Sequence, residues 1–195
     1  MVGGTRRLHA EQFDSVLGAA QEGAAWAVDI LYRELAPSVV GYLRLQGAED
    51  PEDLSSEVFL GVFRSLGSFA GGEPEFRSWV FSIAHRRVID ERRRKARRVT
   101  GIAAGMTAPD GPRPEDTEGS VLAALEAERI IRLCDRLSPD QRDVVLLRLV
   151  GDLSVDQTAT ALGKQNGAVR ALQRRGLAAL RKELEREIST KGVSR

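Results

Sequence analysis

The chain has 195 residues, 42% of them hydrophobic and 5% aromatic, enough for one ordinary domain or two small ones with modest cores. Its formal charge of +1 hides segregation: residues 1–85 hold 12 acids and 6 bases, residues 86–98 eight bases and two acids, and residues 110–128 six acids and one base. Such alternation points to one surface for a nucleic acid and another for a basic protein partner.

The lone cysteine, Cys134, excludes an internal disulfide and a Cys-based zinc site, and fits a reducing cytosol. Two histidines 76 positions apart, His9 and His85, give little basis for a metal site or a catalytic triad. No apolar run approaches the roughly 18 residues of a membrane helix, and the start, MVGGTRRLHAEQF, has no signal-peptide core. A cytoplasmic protein with no metal, no cofactor and no membrane insertion is expected.

In chain order, residues 1–23 read as a loose tail. From Ala24 to about Gln46, apolar residues recur at helical steps (Val28, Leu31, Leu35, Val39, Tyr42, Leu43), and Pro37 makes this two helices or one kinked helix. Asp50-Pro51-Glu52-Asp53 opens the next helix, with Pro in the first turn and acids at the positive end. Its apolar stripe is Leu54, Val58, Phe59, Val62, Phe63 and Leu66. The stretch Gly67–Pro74 (GSFAGGEP) predicts a loop, and a long helix follows from about Glu75 to Arg98, apolar first and basic after.

Residues 99–119 combine prolines and glycines without apolar periodicity and predict a flexible linker. A second helical block spans 120–187. Its first helix is expected to pack on Val121, Leu125, Ile130 and Leu133. Ser138-Pro139-Asp140-Gln141 and Ser154-Val155-Asp156-Gln157 are capping boxes that start two further helices, and Gly163 stops the second. A last helix runs from about Asn166 to Glu187, leaving 188–195 as a tail. The expectation is an all-α chain of two small helical domains, 24–98 and 120–187, joined by a flexible linker.

Leu153–Leu180 has the parts of a helix-turn-helix: Ala159 where helices touch, Gly163 in the turn, and Val169, Leu172 and Leu180 facing inward. Asn166, Arg170, Gln173 and Arg174 then face outward, the residue types that read adenine and guanine edges in a major groove. Lys164, Arg175 and Arg181 are better placed for phosphates. In the first block, Phe76, Trp79 and Phe81 precede a run of eight bases, the combination that holds single-stranded DNA through stacking and phosphate contacts. Trp79 also lies on a stripe with Phe76, Val80 and Ile83 that suits core packing. On the helix from residue 50, Asp53, Ser56, Glu57 and Leu60 share the face opposite the apolar stripe. They serve either the helix dipole or the docking of a basic helix.

Taken in order, these segments resemble the sigma-70 family of bacterial RNA polymerase sigma factors, specifically the extracytoplasmic-function (ECF) group, which has only the family's second and fourth domains. The family pattern D-L-x-Q-E-x-F-L is met by Asp53, Leu54, Glu57, Phe59 and Leu60. The pattern F-x-x-W-L-x-x-I-A-x-N-x-x-I-D is met by Phe76, Trp79, Ile83, Ala84, Ile89 and Asp90. The pattern L-S/P-x-x-Q-R-x-V is met by Leu137, Ser138, Gln141, Arg142 and Val144, with the helix-turn-helix following. Ser56 stands where the family often has Gln, and Arg86 where Asn is common. Gly176 replaces the usual Ala, a change expected to loosen the last helix by about 1 kcal/mol.

The resemblance implies that Asp53, Ser56, Glu57 and Leu60 bind core polymerase at the β′ clamp helices, with the β flap as a further contact. It implies that Ser68, Phe69, Phe76, Trp79, Arg86, Arg87 and Arg93 take the melted −10 element. Lys164, Gln165, Asn166, Arg170, Gln173 and Arg174 would read the duplex −35 element, and an anti-sigma factor is an expected partner. No catalysis by this chain is implied. One rival is a LuxR-type helix-turn-helix regulator of duplex DNA, which leaves residues 24–98 unexplained. The other, a recombinase or nuclease, lacks a third ligand beside Asp53 and Glu57 and has tyrosines only at 32 and 42.

Overall fold

The computed structural model describes the backbone over residues 10–100 and 118–192, and side chains over 12–98 and 125–189. Helix α1 (Ala10–Gln21) occupies part of the segment expected to be a tail. Phe13, Val16, Leu17 and Ala20 form its buried stripe, too short to stand out beside the Gly- and Arg-rich residues before it. Residues 1–9 of that expectation lie outside the described residues.

Helix α2 (Ala25–Leu45) is continuous through Pro37. The missing proline donor is tolerated because Leu35, Ala36 and Val39 are buried on either side of it, so packing outweighs the local cost. Helix α3 (Pro51–Ser65) starts at Asp50, whose carboxylate accepts from the Asp53 N–H at 2.8 Å. The expected loop begins with a 3₁₀ turn, Leu66–Ser68, before helix α4 (Glu73–Thr100). The apolar faces of these four helices meet in one core around Leu31, Val39, Tyr42, Val58, Val62, Val80, Phe81 and Val88.

The second block comprises α5 (Glu118–Asp135), α6 (Pro139–Leu149), α7 (Val155–Leu162) and α8 (Asn166–Gly192). Of the expected linker, residues 101–117 lie outside the described residues, while 99, 100, 118 and 119 are helical. Helix α8 extends five residues past the expected end, and residues 193–195 lie outside the described residues. No strand occurs among those described. Both capping boxes form, with Ser138 and Ser154 bonding reciprocally to Gln141 and Gln157. On α5 the burial differs from expectation: Leu125 and Ile130 are exposed, and Cys134 with the following Leu137 is buried.

Gly163 closes α7 in the left-handed region at φ 61°. Gly176 is buried against α6, and a Cβ there would sit 2.7 Å from Val145 Cγ2. The glycine is therefore a close-approach residue of the α6–α8 contact, which corrects the expectation that it merely loosens the helix.

The two blocks touch. Cys134, Leu146, Leu147 and Leu153 join the apolar cluster of the first block, leaving Val144, Ala159 and Val169 as a small separate core under the helix-turn-helix.

Candidate nucleic-acid and protein interfaces

The acidic face of α3 is built as expected but is not vacant. Asp53 and Ser56 are exposed and Glu57 half-buried, and Leu60 is 57% exposed, an apolar side chain set among charges. The Ser56 hydroxyl donates back to the Glu52 carbonyl at 3.1 Å, so it is turned along its own helix. The basic half of α4 crosses this face. Arg87 reaches Glu57 at 3.5 Å, and Lys95 reaches Glu49 at 2.8 Å. The hydrogen bond and charge of Lys95 hold the Glu49 carboxyl below its usual range, and Glu49 in turn raises Lys95. All four side chains are about half exposed to solvent, so these pairs are weak and exchangeable. Residues that the sequence assigned to two different partners thus meet across one cleft.

The predicted strand-binding residues separate into a support and a surface. Phe76 is 1% exposed and packs on Phe13 of α1 at 5.6 Å. Its ring is in the core, so it backs the site and presents no face to a ligand. In front of it, Phe69 stands edge-on at 5.3 Å and stacks on Trp79 at 5.1 Å with 23° between planes. Phe69 and Trp79 are both half-buried, which gives an aromatic shelf with one accessible side. Ser68 is exposed at its rim, with its hydroxyl donating to the Ser65 carbonyl at 2.9 Å. Arg86, Arg87 and Arg93 are exposed along α4. Arg86 donates to Ser82 O at 3.2 Å, and Arg93 lies 3.7 Å from Asp90.

Two other cations of this region are structural. Arg77 is buried in an ion pair with Glu73 at 2.8 Å. Arg92 turns inward and donates to the backbone and side-chain oxygens of Gln46. Gln46, 1% exposed, donates to Tyr42 Oη at 3.1 Å and to Asp143 of α6 at 3.0 Å. His85 Nδ1 lies 3.0 Å from Tyr42 Oη. Burial lowers the His85 pKa, with Arg92 and Lys164 acting the same way and Asp143 opposing them. Burial, followed by the Asp143 charge, raises the Tyr42 pKa. A polar node therefore bridges the two blocks, helped by a bond from Gln157 to Pro74 O at 2.9 Å. Nothing local marks this node in the sequence, because Gln46 and Asp143 are 97 residues apart and neither stands in a chemical motif.

On the helix-turn-helix, Gln165 is exposed just before α8, and Asn166, Arg170 and Arg174 are exposed along its first three turns. Asn166 bonds Asp156 across the turn. Lys164 pairs with Asp140 at 3.2 Å, and Gln173 is half-buried, accepting from Arg148 Nε at 3.3 Å. Of the six predicted readers, Gln165, Arg170 and Arg174 present their polar ends outward most directly. Their support is the small core: Val169 is fully buried and Leu172 packs beside it. Among the described residues no group of three His, Cys, Asp or Glu is arranged to hold a metal. Burial raises the Cys134 pKa, which keeps that thiol protonated and unreactive. No described helix is long and apolar enough to cross a membrane.

Residues 31–98 match the family Sigma-70 region 2, and residues 127–180 match Sigma-70, region 4. The ECF RNA polymerase sigma factor ShbA of Streptomyces griseus is 32% identical, over 86% of this chain and 94% of that protein. The ECF RNA polymerase sigma factor BldN of Streptomyces coelicolor is 33% identical over 83% of this chain, which spans 61% of BldN's length. Among solved structures, CnrH in complex with the cytosolic domain of CnrY superposes with a TM-score of 0.65 at 20% identity, covering 89% of this chain and 97% of that one, a likeness of fold.

Proposed function

The chain belongs to the ECF group of the sigma-70 family of RNA polymerase sigma factors, and from that premise we propose how its surfaces divide the work of initiation. The α3 face, with Asp53, Glu57 and Leu60, docks on the β′ clamp helices of core polymerase, with Ser56 at its edge. The loop before α4 receives a base extruded from the −10 element: Ser68 lies at the rim, and Phe69 and Trp79 form the stacking shelf that Phe76 supports. Arg86, Arg87 and Arg93 follow the phosphates of the separating strands. Stacking on such a shelf offsets the few kcal/mol that unstacking a base costs, so melting becomes sequence-dependent. The polymerase performs the chemistry, and the chain works in the cytoplasm where polymerase and promoter are.

The first turns of α8 enter the major groove of the −35 element. Gln165, Arg170 and Arg174 reach the DNA first, and Lys164, Asn166 and Gln173 follow by exchanging their intramolecular bonds for DNA contacts. The two elements are about 25 base pairs apart, roughly 85 Å along B-DNA. A form in which α7 rests on α4 cannot reach both, so promoter engagement requires the two domains to part. An anti-sigma factor that holds them together would act on this step.

The observation that carries the reading is the presence, on one small domain, of an acidic face with an exposed leucine and of an aromatic shelf on a helix that continues into exposed arginines. A duplex-only regulator has no use for either. The test is gel filtration with core RNA polymerase. The wild-type chain is expected to co-elute stoichiometrically, and Asp53→Lys/Glu57→Lys to elute separately. Co-elution unaffected by the charge reversal would overturn the docking assignment.

A further inference from the structure

We infer that Gln21, at the end of α1, is a positioning residue for base capture in the −10 element. The inference rests on the proposed reading that the loop before α4 receives that base. Gln21 Nε2 donates to two carbonyls of the loop's entrance, Leu66 O at 3.0 Å and Phe69 O at 2.8 Å. A primary amide has two N–H donors, and here both are used on the loop backbone, 45 and 48 residues away in sequence. The Leu66 carbonyl also accepts the Phe69 N–H at 3.0 Å, so its two lone pairs are both engaged. The same helix supports the loop from the aromatic side, since Phe13 packs on Phe76 and Phe76 on Phe69 and Trp79. Helix α1 lies before the segment matched to region 2, which begins at residue 31.

Apart from the bond that Gln157 of the second block makes to Pro74 O, where the loop joins α4, the other hydrogen bonds seen in the loop are local. Ser68 bonds Ser65, and the Gly72 N–H bonds Glu75 at 3.1 Å. Local bonds shape a turn but do not hold its backbone against the rest of the domain; the Phe69 ring is held by Phe76 and Trp79, and Gln21 supplies the hydrogen-bonded tie to the backbone. A receptor for an extruded base gains from being ordered beforehand, because ordering deferred to the moment of capture is subtracted from binding. Gln21 is itself exposed, and α1 is anchored by Phe13, Val16, Leu17 and Ala20. Its amide can therefore be removed without detaching the helix.

The test uses holoenzyme reconstituted from the full chain and core polymerase, transcribing a promoter library randomised across the −10 element, with a pre-opened bubble template as a second substrate. Gln21→Met keeps the length and removes the donors, and Gln21→Lys keeps a donor. Gln21→Met is expected to narrow the yield ratio between favoured and disfavoured −10 bases about fivefold, the scale of two modest hydrogen bonds partly expressed at the pocket. Initiation on bubble templates and affinity for core should stay unchanged, and Gln21→Lys should recover most of the discrimination. Equal loss on duplex and bubble templates would assign Gln21 a general structural role and overturn the inference. Phe69→Ala is the control for the underlying reading. Should it flatten the −10 preference while Gln21→Met does not, the inference fails and the reading stands. Should neither variant change the preference, the loop is not the receptor and both fall.

Discussion

Substituting Gly176 by alanine sets two effects of similar size against each other. In an isolated helix, alanine is favoured over glycine by about 1 kcal/mol, so on sequence grounds the change stabilises α8. In the fold, the new Cβ would lie 2.7 Å from Val145 Cγ2, about 1 Å inside a comfortable carbon–carbon contact. Val145 is 2% exposed and β-branched, so relief requires an unfavourable rotamer or separation of α6 from α8. Overpacking of this kind costs about 1–3 kcal/mol, which outweighs the helix gain and leaves a net destabilisation of about 1 kcal/mol. Urea unfolding measures it, and a double-mutant cycle with Val145→Ala isolates the contact: the alanine at 176 should be better tolerated once Val145 is truncated. A more stable Gly176→Ala chain, with no coupling to Val145, would refute the close-approach argument.

Two further perturbations test the node between the domains. Gln46→Leu removes the amide that satisfies the Asp143 carboxylate, a bond worth about 2 kcal/mol as a hydrogen bond to a charged group. Labels on α4 and α8 should then report a population shifted towards separated domains by roughly 30-fold, with helix content intact, whereas an unchanged distance distribution would contradict the view that this node holds the two blocks together. His85 supplies a pH signature. Burial lowers its folded pKa below the ordinary 6.5, so the unfolded chain binds the proton more readily. The stability contributed by the neutral ring is present above the unfolded value and is lost as pH falls through about 6.5 towards the folded pKa. Thermal melts between pH 7.5 and 5.5 should show that decline in the wild type and a flatter profile in His85→Asn. Parallel profiles would exclude the histidine as its source.

Most of the helices were legible because their signals are local. Ser138/Gln141 and Ser154/Gln157 announce helix starts by a three-residue spacing, and the stripe Leu54–Leu66 announces a buried face by its period. The outward position of Arg170 and Arg174 follows from the inward position of Val169 and Leu172, because offsets of one, two and five residues fall on the other side of a helix. What remained hidden depends on distance in sequence. Neither Gln21 nor Gln46 shows by its neighbours that it will bond a loop or a second domain. The role of Gly176 is set by Val145, 31 residues earlier, and a helix-propensity argument pointed the opposite way. Phe76 and Trp79 share one stripe, yet only the fold shows that Phe76 lies in the core while Trp79 forms part of the shelf. Arg92 and Arg93 are adjacent identical residues, and helical geometry alone turns one towards Gln46 and the other towards solvent.

The most direct measurement of the central claim is run-off transcription by core RNA polymerase on a pool of genomic fragments, with and without the chain, followed by mapping of transcript starts. The account predicts starts that appear only with the chain, each preceded by two shared sequence elements at fixed spacing. It also predicts that the downstream preference is lost in Phe69→Ala and the upstream one in Arg170→Ala/Arg174→Ala. Starts that are unchanged by the chain, while the chain alone protects duplex sites, would contradict it.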